Sequence, residues 1–463
     1  MKSLVFMEKK LSFGNKLAYG LGNVAVMVAK QAPKRLCFPV YNIALGVNAA
    51  WIGALFSIMR IWDAITDPLI GHISDNYSSK YGRRKPFIVL GAILTGLFFA
   101  AIWMLPRGLS PVGYIVYLSV TVLLFYTALT IFSVPWYAMG YELTDNYDER
   151  TKLFAFPSFF SPISQIGVAW LYFLTQRSIF EDTIEGARYV GAFTGFLLII
   201  FGLIPALFVN EKEAVVERKL PEEKKAKASF LRNLKESLSC KPFLIISISI
   251  SGILMASAIV GSLHYYINIY YIYGGDKAAA STTIGWYWTT VYGVAALVVP
   301  LISKLGQRFG KRAIFQASLF WGVGVMIARW FLFTPDYPYL QLVDGLMYAI
   351  LDAAVFLLCQ AMIADVCDYD ESKFGIRREG VFAAVYGWMF KTGLALGALV
   401  SGIILARIGF DKKIDQIPSL ETLESMRFIY SFIPGFIFLA AGLLFFFYPL
   451  TKKEMLKIAS KRE

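Results

Sequence analysis

Two histidines and four cysteines are the whole stock of imidazole and thiol in 463 residues. There is no His-Glu-x-x-His run and no phosphate loop, and Cys37, Cys240, Cys359 and Cys367 follow neither metal-ligand nor disulfide spacing. A membrane-embedded enzyme would have no nucleophile, metal cluster or cofactor motif to use, so no cofactor is expected and the cysteines should be inert. His72 and His264 are expected to pack, not to ligate or to relay protons. Charge is scarce as well: 17% of residues carry it, against 57% hydrophobic and 16% aromatic, which excludes a soluble chain. Lys and Arg outnumber Asp and Glu by 45 to 32. They are not gathered into a basic domain, however, so nucleic acid is not an expected partner.

What is present is apolar sequence in long runs. A bilayer core needs about 20 apolar residues per spanning helix, and at that length an all-α membrane protein of twelve spans emerges, near 19–46, 49–74, 86–106, 113–141, 156–178, 187–209, 242–272, 280–304, 312–333, 338–366, 378–408 and 426–449. The first span follows a basic segment without a small-residue cleavage site, so a removable signal peptide is not expected. Basic clusters alternate with the spans: the N-terminal segment, Lys80/Arg83/Arg84/Lys85, Lys212 to Lys241, Lys304/Arg308/Lys311/Arg312, Arg377/Arg378 and the tail from Lys452. Lys412 and Lys413 are a mild exception. The positive-inside rule then puts both termini in the cytosol of a multi-pass protein of the cell membrane.

The one long polar connection, 210–241, mixes both charges and reads as a cytosolic linker between six-helix halves at 1–209 and 242–463. Repetition supports the division. Gly82-Arg83-Arg84-Lys85 after the second span has a counterpart in Gly310-Lys311-Arg312 after the eighth. The run from Ala138 through Glu142 to Glu149 is matched by the run from Ala361 through Asp365 to Glu371. Two repeated halves with a site between them near the midplane are the architecture of an alternating-access transporter.

Charges inside the spans should mark that site, because an ionised group at membrane depth is costly unless paired or hydrated. Asp63 and Asp67 are one helical turn apart, with carboxylates on one face and roughly 6 Å between them along the axis. Two such charges repel unless one is protonated or a cation lies between them. Na⁺ seeks several oxygens, which makes Asp63 and Asp67 a coupling-ion site for Na⁺ or H⁺, or else an Arg60–Asp network. In the first span Lys30 and Lys34 share a face, Arg35 adjoins them, and Pro33 among them is expected to interrupt the helical hydrogen-bond ladder. These cations are about 15 Å from the nearer end, too deep to snorkel. With Arg60 and Lys391 they outnumber Asp63, Asp67 and Asp352. An anionic substrate group would relieve the imbalance; internal pairing is the alternative. Lys391 and Asp352 are near the centres of their spans and are candidate pocket residues. Gly393 and Gly397 suggest a close helix contact. Trp136, Tyr137, Tyr265 and Tyr266 could each stack on a sugar ring.

Arg60-x-x-Asp63-x-x-x-Asp67-Pro68, Gly82-Arg83-Arg84-Lys85-Pro86, Val134-Pro135-Trp136, Glu142-Leu143-Thr144, Asp148-Glu149-Arg150-Thr151 and Asp368-Tyr369 with Lys391 downstream stand in that order. Together they resemble the glycoside–pentoside–hexuronide:cation symporter family of the major facilitator superfamily, the family of melibiose permease. The resemblance implies that Asp63, Asp67 and Thr130 bind the coupling cation and that Lys391 links sugar and cation. It also implies changed sugar contacts: two sugar-binding aspartates align with Met27 and Ser133, an arginine with Ser158 and a tryptophan with Phe356. Loss of carboxylates and gain of Lys30, Lys34 and Arg35 favour an anionic sugar such as a uronide or sulfonated sugar.

The expectation is a monomeric, cation-coupled importer of a sugar or glycoside, with Na⁺ favoured over H⁺ and membrane lipid as its other partner. Lys30, Lys34, Arg35 and Arg60 would hold the anionic group, Ser133, Trp136, Asp352 and Lys391 would complete the pocket, and Arg83, Arg84, Glu142 and Arg150 would latch a cytosolic gate. A carrier of lipids or amphiphiles, or an uncoupled facilitator, is the rival reading.

Overall fold

A computed structural model describes residues 11–77, 79–144, 146–209, 239–374, 379–408 and 418–460. Most of the expected linker, Arg377/Arg378 and Lys412/Lys413 fall outside them. All regular structure among the described residues is helical: α1 (Phe13–Cys37), α2 (Ala49–Asp75), α3 (Lys85–Trp103), α4 (Pro111–Glu142), α5 (Tyr147–Ala169, continued by a short turn at Leu171–Thr175), α6 (Thr183–Phe208), α7 (Lys241–Tyr266), α8 (Lys277–Phe309), α9 (Lys311–Leu332), α10 (Gln341–Phe374), α11 (Glu379–Ile408), α12 (Leu420–Leu444) and α13 (Lys452–Ser460). The first twelve fall on the expected spans. Ten of them hold a stretch long and apolar enough to cross a membrane. The exceptions are α1, interrupted by Lys30, Lys34 and Arg35, and α5, which opens on Asp148, Glu149, Arg150 and Lys152.

Local chemistry sets the ends. Side chains of Ser12, Ser110, Asn146, Asp182, Asp276 and Ser419 accept from the backbone N–H three residues on, capping α1, α4, α5, α6, α8 and α12. Pro86 and Pro242 occupy the first turns of α3 and α7, where no N–H is missed. α1 runs on through Pro33, whose missing N–H interrupts the ladder without ending the helix, and a π-helical turn follows at Phe38–Ala44. A proline inside a membrane helix is tolerated when local π adjustments and neighbouring helices satisfy the freed groups.

Two compact units result, Met1–Val47 with Ile61–Lys224 and Asn48–Arg60 with Lys225–Glu463, taken over the described residues. They differ from an even six-plus-six division at 48–60, the first half of α2. That segment packs on α11, because Gly53 and Gly402 leave no side chain in the way and Ser57 donates to the Ala395 carbonyl at 2.7 Å. In the first unit α1 packs on α5 and α6, and α3 on α4 and α6. In the second α7 packs on α11 and α12, and α9 on α10 and α12, the same scheme repeated.

The repetition reaches single residues. Like α1, α7 ends in a π-helical turn, Ile267–Ile272. Arg188 of α6 donates to the Leu105 carbonyl just past α3, and Arg427 of α12 to the Trp330 carbonyl in the last turn of α9. Gly82 and Gly310 both adopt positive φ, at 104° and 95°, a region that residues with a Cβ rarely enter, and so turn the chain into α3 and α9. Beside Gly310, Lys452 of α13 donates to the Gln307 and Arg308 carbonyls at 2.7 and 3.1 Å, covering the C-terminus of α8.

The Gly393/Gly397 pair is a close crossing of α11 on α7: a Cβ at Gly393 would stand 2.6 Å from the Ser251 carbonyl oxygen, and one at Gly397 2.6 Å from Ala258 Cβ. Gly393→Val should therefore destabilise the protein by about 1–3 kcal/mol, seen as a lowered Tm in detergent. Gly324→Ala, inside α9 where no heavy atom stands within 4 Å, should leave Tm unchanged or raise it slightly.

Candidate functional site

The α2–α4 crossing in the first unit gathers oxygen. On α2, Trp62, Thr66 and Asp67 face Thr127 and Thr130 of α4, three residues apart on one face. Trp62 Nε1 donates to Thr127 Oγ1 at 3.0 Å, fixing the two helices at that level. Thr130 Oγ1 donates to Asp67 Oδ1 at 3.2 Å and lies 3.4 Å from Thr66 Oγ1, whose own proton goes to the Trp62 carbonyl at 2.9 Å. Asp63, Thr66 and Thr130 are buried and Asp67 is half-buried. Thr66 spends its proton on the Trp62 carbonyl and Thr130 on Asp67 itself, so two hydroxyl oxygens stand beside the carboxylate. Carboxylate and hydroxyl oxygens of this kind suit a hard monovalent cation.

The predicted cations of α1 belong to the same unit. Lys30, Lys34 and Arg35 are half-buried. Lys30 Nζ donates to Tyr137 Oη at 3.4 Å and stands 5.1 Å from the centre of that ring, an ammonium held against an aromatic face. Trp136, expected in the pocket wall, is enclosed instead: its ring stacks on Tyr19 at 4.8 Å and its N–H donates to the Tyr19 carbonyl at 3.3 Å. Its other neighbour is Tyr137, with ring centres 4.7 Å apart. Ser133 is buried one turn before Tyr137. In the second unit Arg60, Asp352 and Lys391 are all half-buried. Asp352 lines a small, largely apolar cavity with Ser257 and Tyr348. Ser158, aligned with a sugar-binding arginine, is exposed, and so is Phe356.

The predicted latch residues gather at the Gly82 turn. Buried Arg84 donates to Glu142 Oε1 and to Ser74 Oγ, at 2.8 and 2.7 Å, and pairs with Asp75; Arg83 shares the Glu142 carboxylate. The ends of α2 and α4 and the start of α3 are thus tied by two carboxylates and two guanidinium groups. Arg150 donates to the Thr144 carbonyl at 3.2 Å. The second unit repeats the tie: Lys311, in the place of Arg83, bonds Asp365, in the place of Glu142, at 2.6 Å.

A sequence profile described as MFS/sugar transport protein matches residues 18–452. The chain belongs to this family. It is a multi-pass transporter of the cytoplasmic membrane with the major facilitator fold. Relatives in Escherichia coli (strain K12) include a candidate glycoside/cation symporter, YagG, 25% identical over 96% of this chain and 93% of its own. A glucuronide carrier protein homolog is 23% identical over 98% and 96%, and a candidate sulfoquinovose importer is 25% identical over 96% and 92%. The crystal structure of a D-xylose–proton symporter shares the fold, with a TM-score of 0.62 at 14% identity, covering 96% of this chain and 99% of that one.

Within this MFS/sugar transport chain, sequence reasoning passed over two groups. Thr66 sits between the two aspartates and offers a third oxygen-bearing side chain on the same helix face. Arg329 and Asp344, three residues from the ends of α9 and α10, look interfacial by position, yet the structure buries both completely as an ion pair. They add one charge of each sign, so the excess of basic over acidic groups in the spans is unchanged.

Outside the spans, at the start of α5, Glu149 bonds Lys16 at 2.6 Å and Lys152 at 3.0 Å. Those two bonds hold its carboxyl down at about 2, below the ordinary 4.5, although burial opposes them. Because the folded value is the lower, the stabilisation is complete above the unfolded pKa and fades as pH falls toward the folded one. The Tm difference between wild type and Glu149→Gln should accordingly stay constant from neutral pH to about pH 5 and shrink below it. A difference that grew on acidification would contradict this pairing.

Proposed function

We propose that this family member couples Na⁺ entry to uptake of an anionic sugar or glycoside, a uronide or a sulfonated sugar, by alternating access. The carrying observation is the oxygen cluster at the α2–α4 crossing. Asp63, Asp67, Thr130 and Thr66 would bind the ion, whose charge would hold both carboxylates ionised. Lys30, steadied by Tyr137, would meet the anionic group with Lys34, Arg35 and Arg60. Ser133, Asp352 and Lys391 would supply polar contacts to the rest of the sugar, and Trp136 would back Tyr137 from inside the helix packing. The surplus of basic groups in the spans supports an acidic substrate. So does the company the chain keeps, with a glucuronide carrier homolog and a candidate sulfoquinovose importer among its relatives. H⁺ remains the competing ion, since a protonated carboxylate would relieve the same repulsion.

Proteoliposomes with an imposed Na⁺ gradient test the reading. Uptake of an anionic glycoside such as methyl β-D-glucuronide should exceed uptake of its neutral glucoside counterpart and should collapse when the gradient is removed. Asp67→Asn or Thr130→Ala should raise the Na⁺ concentration for half-maximal uptake by about tenfold, since a lost ligand to a charged partner costs about 1.5–3 kcal/mol. Preference for the neutral glucoside would overturn the anionic assignment, and uptake driven by a pH gradient alone would overturn Na⁺. Uptake indifferent to either gradient would mark a facilitator.

The Arg83/Arg84–Glu142 tie would work as a latch on the side made cytosolic by its basic residues. Arg84→Ala, which leaves Glu142 and Asp75 without their buried partner, should slow uptake by about tenfold while Na⁺- and sugar-induced rises in Tm persist. Loss of both Tm rises would mean the tie serves binding instead.

A further inference from the structure

The second unit contains a buried charge cluster that the transport scheme above does not use. Arg329 of α9 grips Asp344 of α10 through Nε, at 3.2 and 3.3 Å, and through Nη2 at 2.9 Å, with no exposed surface on either residue. Tyr287 of α8 donates to the same Asp344 oxygen at 2.7 Å. The guanidinium is boxed by the rings of Tyr430, Tyr348 and Phe333, at 4.7, 5.4 and 5.9 Å. His264 of α7 joins through Tyr430 Oη at 2.9 Å and lies 4.3 Å from the Tyr287 ring centre. Four helices besides α10 therefore converge on one carboxylate and one guanidinium, at the end of the unit remote from the Gly310 turn.

One strand of this cluster leads inward. Asp344, Tyr348 and Asp352 occupy successive turns on one face of α10. Tyr348 lays its ring against the guanidinium and donates its hydroxyl to Ser257 Oγ of α7 at 3.2 Å. Tyr348, Ser257 and Asp352 all line the small cavity. We infer that the Arg329–Asp344–Tyr287 cluster is a positioning device for the substrate wall of the second unit, acting through Tyr348 to fix Ser257 and Asp352. The inference rests on the assignment of Asp352 to the sugar site. Its physical basis is the planar guanidinium, which serves as both ion-pair donor and flat bed for an aromatic ring; lysine cannot do both.

A buried pair exchanged for apolar residues of similar volume commonly leaves stability unharmed, whereas removing one partner strands a charge. Arg329→Met combined with Asp344→Leu is therefore the informative variant, with Tyr348→Phe as the second, which keeps the ring and loses only the bond to Ser257. Two readouts are taken on purified protein and proteoliposomes: amide hydrogen exchange along α10, and KM against maximal rate for methyl β-D-glucuronide uptake. The double variant should raise exchange in 348–356 by about tenfold over wild type while α11 is unchanged. It should raise KM by about tenfold with maximal rate within about twofold. Tyr348→Phe should shift KM in the same direction by less. Na⁺-induced stabilisation, which belongs to the first unit, should be retained by both. Unchanged exchange in 348–356, or a lower maximal rate at unchanged KM, overturns the inference and leaves the cluster a scaffold. Should the wild type fail to take up the probe while exchange rises as stated, the sugar assignment falls and the mechanical coupling stands.

Discussion

A carboxylate at membrane depth must be answered by something, and the first unit is arranged around answering two of them. Asp63 and Asp67 share one face of α2, where Thr66 of the same helix gives its proton to the Trp62 carbonyl and Thr130 of α4 gives its own to Asp67. Two like charges so spaced repel, and a cation or a proton beside them would relieve that repulsion. The tryptophan–threonine bond one turn away keeps α4 at the level where its hydroxyls are of use.

The second unit solves the same problem with the opposite strategy. Where α2 leaves its acids facing oxygen, α10 neutralises Asp344 with a guanidinium and a phenol inside a box of aromatic rings. The two units share their helix pairings, their glycine turns, their π-helical turns and their arginine-to-carbonyl ties, so the contrast lies in side chains laid over one scaffold. One repeated frame thus carries unlike polar centres in its two units.

Much of this was legible in the sequence, because the signals are physical. Long apolar runs fix the spans, and the Gly82 and Gly310 loops announce the repeat that the Lys311–Asp365 bond then displays. The paired aspartates stand out as charge where charge is costly. What escaped notice depends on tertiary context. Thr66 is an ordinary helix residue until Thr130 is seen beside it, and Trp136 reads as a ligand platform until Tyr19 is found stacked on its face. Arg329 and Asp344, by their distance from the helix ends, suggest snorkelling groups; only the packing of α7, α8 and α12 around them shows that they are sealed from water.

The seat of Lys452 on the last carbonyls of α8 has a practical side. Whatever is fused behind Leu450 in place of the native tail must supply its own ammonium there, or leave the carbonyls of Gln307 and Arg308 without that donor beside the Gly310 bend. A truncated or tagged version used for crystallisation or biosensor work should therefore retain the chain through Lys452 at least, and preferably the whole of α13.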